Sequence, residues 1–140
     1  MQVFKPSLRL CLFLVFVPIC ADAQSISEGK TYFQATCSMC HDDSASKGVF
    51  HGPPMFGIVD RKIGSSAGFA YSQALTSAST KGLTWKLDLL DRFLADPQTV
   101  MPGTSMPMAV PESLDRRNVI AYLKSLKDGE MTASDLSSKK

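Results

Sequence analysis

A single small all-α domain is the expected fold of this 140-residue chain, and three features point to it. Several segments carry apolar residues at helical spacing, with capping residues before them and glycine or proline after. No two segments alternate in the way a β-hairpin requires. The length suits one domain. Apolar residues make up 44% of the chain and charged residues 20%, proportions of a folded globular protein rather than a disordered one. A formal net charge of +2 is too small for the basic footprint of a nucleic-acid-binding protein.

Residues 1–23 read as a secretory signal peptide. Lys5 and Arg9 form a positive n-region, and Leu10 to Cys20 is an eleven-residue apolar run. That run is too short to cross about 30 Å of hydrocarbon, which takes about 20 residues, so no stable membrane insertion is expected. Ala21-Asp22-Ala23 is an A-x-A signature and places the cut before Gln24. An uncleaved anchor is the alternative. Ile19 stands where a lipoprotein would have a small residue before Cys20, which sets lipidation aside. Cleavage would remove Lys5, Arg9 and Asp22 and take the formal charge from +2 to +1. Of the 4 cysteines, Cys37 and Cys40 would stay. A folded domain over 24–127 and a flexible tail over 128–140 complete the expected organisation.

Ser25 and Glu28 form a capping box at the start of a helix expected over Ile26 to Cys40. Asp42 to Pro54 reads as loop, and Gly57, Gly64 and Gly68 mark turns. A short helix is expected around Tyr71 to Ser79, stopped by Lys81-Gly82. Thr84 is expected to cap a stronger helix, Trp85 to Asp96, with Trp85, Leu89, Leu90, Phe93 and Leu94 as its apolar stripe. Pro97 ends it. Gln98 to Pro111 has prolines and no helical period, so it reads as an extended loop. The last helix is expected over Glu112 to Leu126, with Val119, Tyr122, Leu123 and Leu126 on one face. Acidic residues near its start and lysines near its end suit the macrodipole.

The chemistry concentrates in Cys37-Ser38-Met39-Cys40-His41, the C-x-x-C-H spacing of covalent c-type haem attachment. Positions i, i+3 and i+4 share one helix face. Two thiols can therefore add to the two vinyl groups of one haem while the adjacent imidazole reaches the iron. A thioredoxin-like motif would open a helix after a strand, whereas this one ends a helix. A zinc site needs four ligands, and the mature chain would offer only Cys37, Cys40, His41 and His51. A plain Cys37–Cys40 disulfide leaves His41 unexplained.

A second axial ligand must come from Met39, Met55, Met101, Met106, Met108, Met131 or His51. Met39 is locked inside the attachment motif and Met131 lies in the tail. His51 reads as an exposed loop histidine. The stretch Met101-Pro102-Gly103-Thr104-Ser105-Met106 can present a thioether from an extended loop, which favours Met106 over Met108 and Met101.

Beyond the C-x-x-C-H, an ordered series of motifs resembles class I c-type cytochromes, the group of mitochondrial cytochrome c and bacterial cytochrome c2. The series runs through Gly29/Phe33, Gly52-Pro53, Phe56-Gly57, Arg61-Lys62 and Gly68-Phe69-Ala70-Tyr71-Ser72. It continues through Gly82-Leu83-Thr84-Trp85, Met101-Pro102-Gly103-Thr104-x-Met106 and Val119-Ile120-Ala121-Tyr122-Leu123. The resemblance covers roughly Glu28 to Leu126. It implies helices wrapped around one haem c, bound covalently through Cys37 and Cys40. It further implies His41 and Met106 as iron ligands, with the second ring N–H of His41 on the Pro53 carbonyl. A Met/His pair raises the potential. Arg61, Tyr71 and Trp85 are implied as propionate partners, and Thr104 as a further haem-binding residue. Gly29 and Phe33 are implied to pack on Tyr122 and Val119.

Three departures stand out. Phe93 replaces a common tyrosine near the methionine sulfur, and Leu75 replaces an asparagine of the mitochondrial members. No lysine occurs between Lys86 and Lys124. Gln98, Thr99 and Ser105 stand where the family carries lysines that displace the methionine at high pH. The same absence leaves the haem edge without its lysine ring, with Val49, Pro107, Met108 and Val110 as a candidate apolar rim. The expected function is that of a monomeric periplasmic one-electron carrier, not an enzyme. Its partners would be a membrane cytochrome complex, a terminal oxidase or a periplasmic dehydrogenase. A labile methionine, giving a peroxidase-like enzyme or gas sensor, is the alternative.

Overall fold

The computed structural model describes residues 24–46 and 48–128. The expected signal peptide, and the expected tail beyond residue 128, lie outside the described residues. Among the described residues, five α-helices and one π-helical turn follow in order: α1 (Ile26–Tyr32), the π turn (Phe33–Cys37), α2 (Gln73–Thr80), α3 (Leu87–Ala95), α4 (Pro97–Val100) and α5 (Ser113–Asp128). Among the described residues, the one β pairing is an isolated antiparallel bridge between Lys62 and Thr84.

The expected cap forms at the chain's first helix. Ser25 Oγ accepts the Glu28 N–H at 3.1 Å. Helix α1 then crosses α5, and Gly29 makes the crossing. A Cβ at this position would sit 1.9 Å from the Asn118 carbonyl oxygen, so only glycine lets the backbones meet. Asn118 Oδ1 also accepts the Ser25 N–H at 2.9 Å. Behind the crossing, the Phe33 and Tyr122 rings lie 5.7 Å apart, with Val119 fully buried nearby in the same core. The expected packing of Gly29 and Phe33 on α5 is therefore present.

Helix one ends earlier than expected. From Phe33 the register widens, and the Ser38 N–H donates to the Phe33 carbonyl at 2.9 Å, an i→i+5 bond. Residues 38–40 are a turn rather than helix. Thr84 is not a helix cap. Trp85 N–H donates to the Arg61 carbonyl and Ile63 N–H to the Leu83 carbonyl, both at 2.9 Å, so the chain stays extended until Lys86 caps α3. Pro97 does end α3, but it also starts α4, a helix inside the expected loop. Asp96 caps it by accepting the Thr99 N–H at 3.0 Å, and Pro97 fills the first turn, where its missing N–H is no loss. Helix α5 reaches Asp128, one residue into the expected tail.

The core gathers Phe33, Ile58, Ile63, Trp85, Leu90, Phe93, Leu94, Met101, Val119 and Leu123. Met101 is 7% exposed and is core filling, not a presented thioether.

Candidate functional site

One cavity of about 320 Å³ opens beside this core. Its walls come from every part of the described chain: Cys37, Cys40 and His41 after α1, Arg61, Tyr71 and Leu75 from the middle, Trp85 and Phe93 around α3, and Thr104 and Met106 from the loop beyond α4. Most of this lining is apolar.

The His41 side is held tightly. His41 N–H and Cys40 N–H both donate to the Cys37 carbonyl, at 3.0 and 3.1 Å, so the two cysteines and the histidine share one compact turn. His41 Nδ1 lies 2.7 Å from the Pro53 carbonyl. A carbonyl only accepts, so Nδ1 carries the proton and Nε2 keeps its lone pair. Burial lowers the His41 pKa, the Pro53 bond only partly opposing it, and the ring stays neutral. Gly52 makes room for it: a Cβ there would lie 2.4 Å from His41 Cε1. Gly52 N–H donates to the Cys40 carbonyl at 2.8 Å and Met55 N–H to the Asp42 carbonyl at 2.7 Å, closing the loop over the ring. Burial, with Cys40 alongside, pushes the free Cys37 thiol up to about 11.

Another part of the wall belongs to the methionine loop. Met106 is half-buried and packs on the core, whereas Met108 is 44% exposed. Thr104 is buried, and its Oγ1 accepts the Met106 N–H at 3.4 Å. Met39 is 67% exposed, pointing away from the core as its place between the cysteines suggests.

The polar residues collect at the middle of the chain. Trp85 is buried and packs on Phe93 at 4.9 Å between ring centres. Tyr71 meets Phe69 edge-on at 4.8 Å, and its hydroxyl accepts the Ser66 N–H at 3.2 Å. Arg61 donates to the Phe56 carbonyl at 3.1 Å and to the Pro54 carbonyl at 2.5 Å. Its charge is thus anchored to the segment that also holds His41. Ser72, which sequence reasoning did not single out, has a buried Oγ with no hydrogen-bond partner among the described residues. It sits at the start of α2, where a serine usually caps, yet it makes no cap bond. An unsatisfied buried hydroxyl costs about 1–3 kcal/mol.

One expected role changes. Val110 is not on an apolar rim: it is 3% exposed, drawn inward by its N–H bond to the Leu94 carbonyl at 2.7 Å. The exposed apolar residues of the cavity lining are Met39, Pro107, Met108 and Ala109, with Val49 and Phe50 exposed on the adjoining loop. His51 is exposed, as expected, and belongs to the same lining. Leu75 and Phe93 are both buried against the cavity, so two positions that carry polar groups in the resembled family are apolar here.

The residues fit a haem. Paired thiols and a neutral imidazole sit on one turn, the cavity is apolar, and the Arg61 charge in its lining suits a ligand with acidic edges. An all-helical domain with this motif opening onto one apolar cavity defines a protein of the monohaem c-type class. The family model described as "Cytochrome c" matches residues 26–127, and the chain belongs to that family. Its members are haem electron carriers, with one haem c attached through cysteines at the positions of Cys37 and Cys40.

Similarity to individual proteins agrees. The chain is 38% identical to cytochrome c of Euglena viridis over 102 residues, covering 71% of this chain and 95% of the relative. It is 36% identical to cytochrome c2 of Rhodopila globiformis, covering 71% and 92%. Among solved structures, cytochrome cH from Methylobacterium extorquens superposes with a TM-score of 0.64 at 34% identity, covering 72% of this chain and 98% of that one. Cytochrome c2 from Rhodospirillum centenum gives 0.70 at 26% identity, covering 74% and 98%.

Proposed function

We propose that this protein carries single electrons between redox proteins of the bacterial periplasm, with His41 and Met106 as the two axial ligands of its haem. Bound haem supplies a one-electron couple between ferrous and ferric iron. The chain's own residues do the rest. Pro53 fixes the His41 tautomer and leaves Nε2 for the metal. Met106 supplies a soft thioether from the cavity lining, which favours the ferrous state. Arg61, Tyr71 and Trp85, all in the cavity lining, provide polar partners for the propionates. Thr104 holds the Met106 backbone. Leu75, Leu90, Phe93 and Leu94 exclude water from the centre. A haem held by both His41 and Met106 would need to bind neither oxygen nor a substrate.

The single observation that carries this reading is the His41–Pro53 bond at 2.7 Å in a cavity whose lining also includes Met106. No helix among the described residues is long and apolar enough to cross a membrane. The proposed route to the periplasm is the signal peptide over residues 1–23, cleaved before Gln24.

The optical spectrum of the dithionite-reduced protein, before and after carbon monoxide, tests the proposal. A sharp c-type α band unchanged by carbon monoxide is expected. A shifted spectrum would mean an open distal position and would overturn electron carriage in favour of the labile-methionine alternative.

A further inference from the structure

The two sides of the cavity are secured very differently. The His41 loop is stitched by backbone bonds on both flanks. On the other side, the chain from Asp96 to Thr104 is also self-bonded: Met101 N–H reaches the Pro97 carbonyl at 2.9 Å and Thr104 N–H the Met101 carbonyl at 3.0 Å. Among the described residues, 105–109 make no backbone–backbone hydrogen bond until Val110 meets Leu94. Met106 lies inside that unbonded stretch.

Two side chains from outside the stretch reach it: Thr104, whose Oγ1 accepts the Met106 N–H at 3.4 Å, and Gln98 from α4. Gln98 Nε2 donates to the Thr104 carbonyl at 2.8 Å and lies 3.5 Å from the Met106 carbonyl. Its base is firm. Gln98 sits on α4, which Asp96 caps through Thr99 at both the N–H and the hydroxyl, at 3.0 and 2.7 Å, while Pro97 is buried beneath it. A primary amide has two N–H donors, so one group can serve both carbonyls. A lysine ammonium at this position would be a mobile, strongly hydrated donor; the planar amide is a better brace.

We infer that Gln98 is a positioning residue for Met106, a brace from α4 that holds the methionine loop closed on the haem. The inference rests on the His41/Met106 reading. Gln98 is itself exposed, so its replacement leaves the core intact and acts on the loop. Losing a hydrogen bond of this kind raises the population of the opened loop about five-fold.

The test uses the ferric holoprotein and imidazole, a small base that takes the iron position methionine vacates. Imidazole affinity, the sulfur-to-iron charge-transfer band and the urea midpoint are measured for wild type, Gln98→Glu, Gln98→Ala and Gln98→Asn. Glutamate keeps the shape, loses the donor and sets a charge against two carbonyls. Asparagine keeps the donor on a shorter stem. Glutamate and alanine are expected to raise imidazole affinity about five-fold, with the urea midpoint nearly unchanged. Unchanged imidazole affinity in both variants overturns the inference. So does a lowered urea midpoint with unchanged affinity, which would make Gln98 a structural residue only. A wild-type protein without the charge-transfer band is a separate failure: it removes Met106 ligation, and the brace with it.

Discussion

The phenol of Tyr122 donates a hydrogen bond to the Asp43 carboxylate at 2.5 Å, across 79 positions of sequence. Tyr122 belongs to the face of α5 that packs on Phe33, and Asp43 lies two residues after His41. One bond therefore ties the last helix to the chain leaving the haem-attachment turn.

Burial, and then the Asp43 carboxylate, raise the Tyr122 pKa well above its ordinary value of 10.0. A phenol whose pKa rises on folding contributes stability that is fully present below the unfolded pKa and is lost as pH rises through the folded one. Tyr122→Phe is expected to cost about 1.5 kcal/mol at neutral pH, the worth of a hydrogen bond to a charged group. Urea denaturation at a series of pH values checks this. The gap between wild type and variant should stay constant up to about pH 10 and narrow above it.

Gly52 is expected to be intolerant for a reason Gly57 is not. A Cβ at 52 would meet the His41 ring at 2.4 Å, whereas a Cβ at 57 meets nothing within 4 Å. Gly57→Ala has only its positive φ of 68° to accommodate, about 1 kcal/mol. Gly52→Ala must move the imidazole and is expected to cost about 3 kcal/mol. It should also change the electron paramagnetic resonance signature of the ferric iron, which Gly57→Ala leaves alone.

At high pH the methionine bond should not give way to a lysine. The stretch from Leu87 to Leu123 has no lysine, and Gln98, Thr99 and Ser105 occupy the loop positions in question. Any alkaline form should carry hydroxide or another ligand. Magnetic resonance of the ferric protein above pH 10 distinguishes the cases, and a lysine-ligated product would contradict the expectation.

Electron exchange with partners should depend weakly on salt. A formal charge of only +2 and an exposed apolar group of Met39, Val49, Phe50 and Met108 offer little for long-range steering. Rates with a small redox protein are expected to fall by less than about ten-fold from low to physiological ionic strength. Phe50→Asp should slow them more than that change of salt does.

Much of this architecture was legible because it depends on local pattern. The stripe through Leu90, Phe93 and Leu94 marks α3, and Ser25 with Glu28 marks the start of α1. The Cys37-x-x-Cys40-His41 turn carries its chemistry in its spacing. What escaped depends on partners distant in sequence. Thr84 looked like a cap because nothing local reveals its pairing with Lys62. Val110 looked like surface until Leu94 and Arg116 claimed its backbone. Ser72 carries no signal except its failure to cap. Helix α4 could have been found: Asp96 followed by Pro97 is a cap and first-turn pair, overshadowed by the prolines beyond it.

The unequal stitching of the two walls also sets a direction for change. A scaffold whose imidazole side is locked and whose thioether side rests on a five-residue span can shed one bond without losing its prosthetic group. The evolutionary distance from a closed relay to an open, reactive centre is then short, and it runs through residues 105–109 and the α4 side chains that reach them rather than through the helices. Laboratory selection for peroxide turnover should accumulate its first substitutions there.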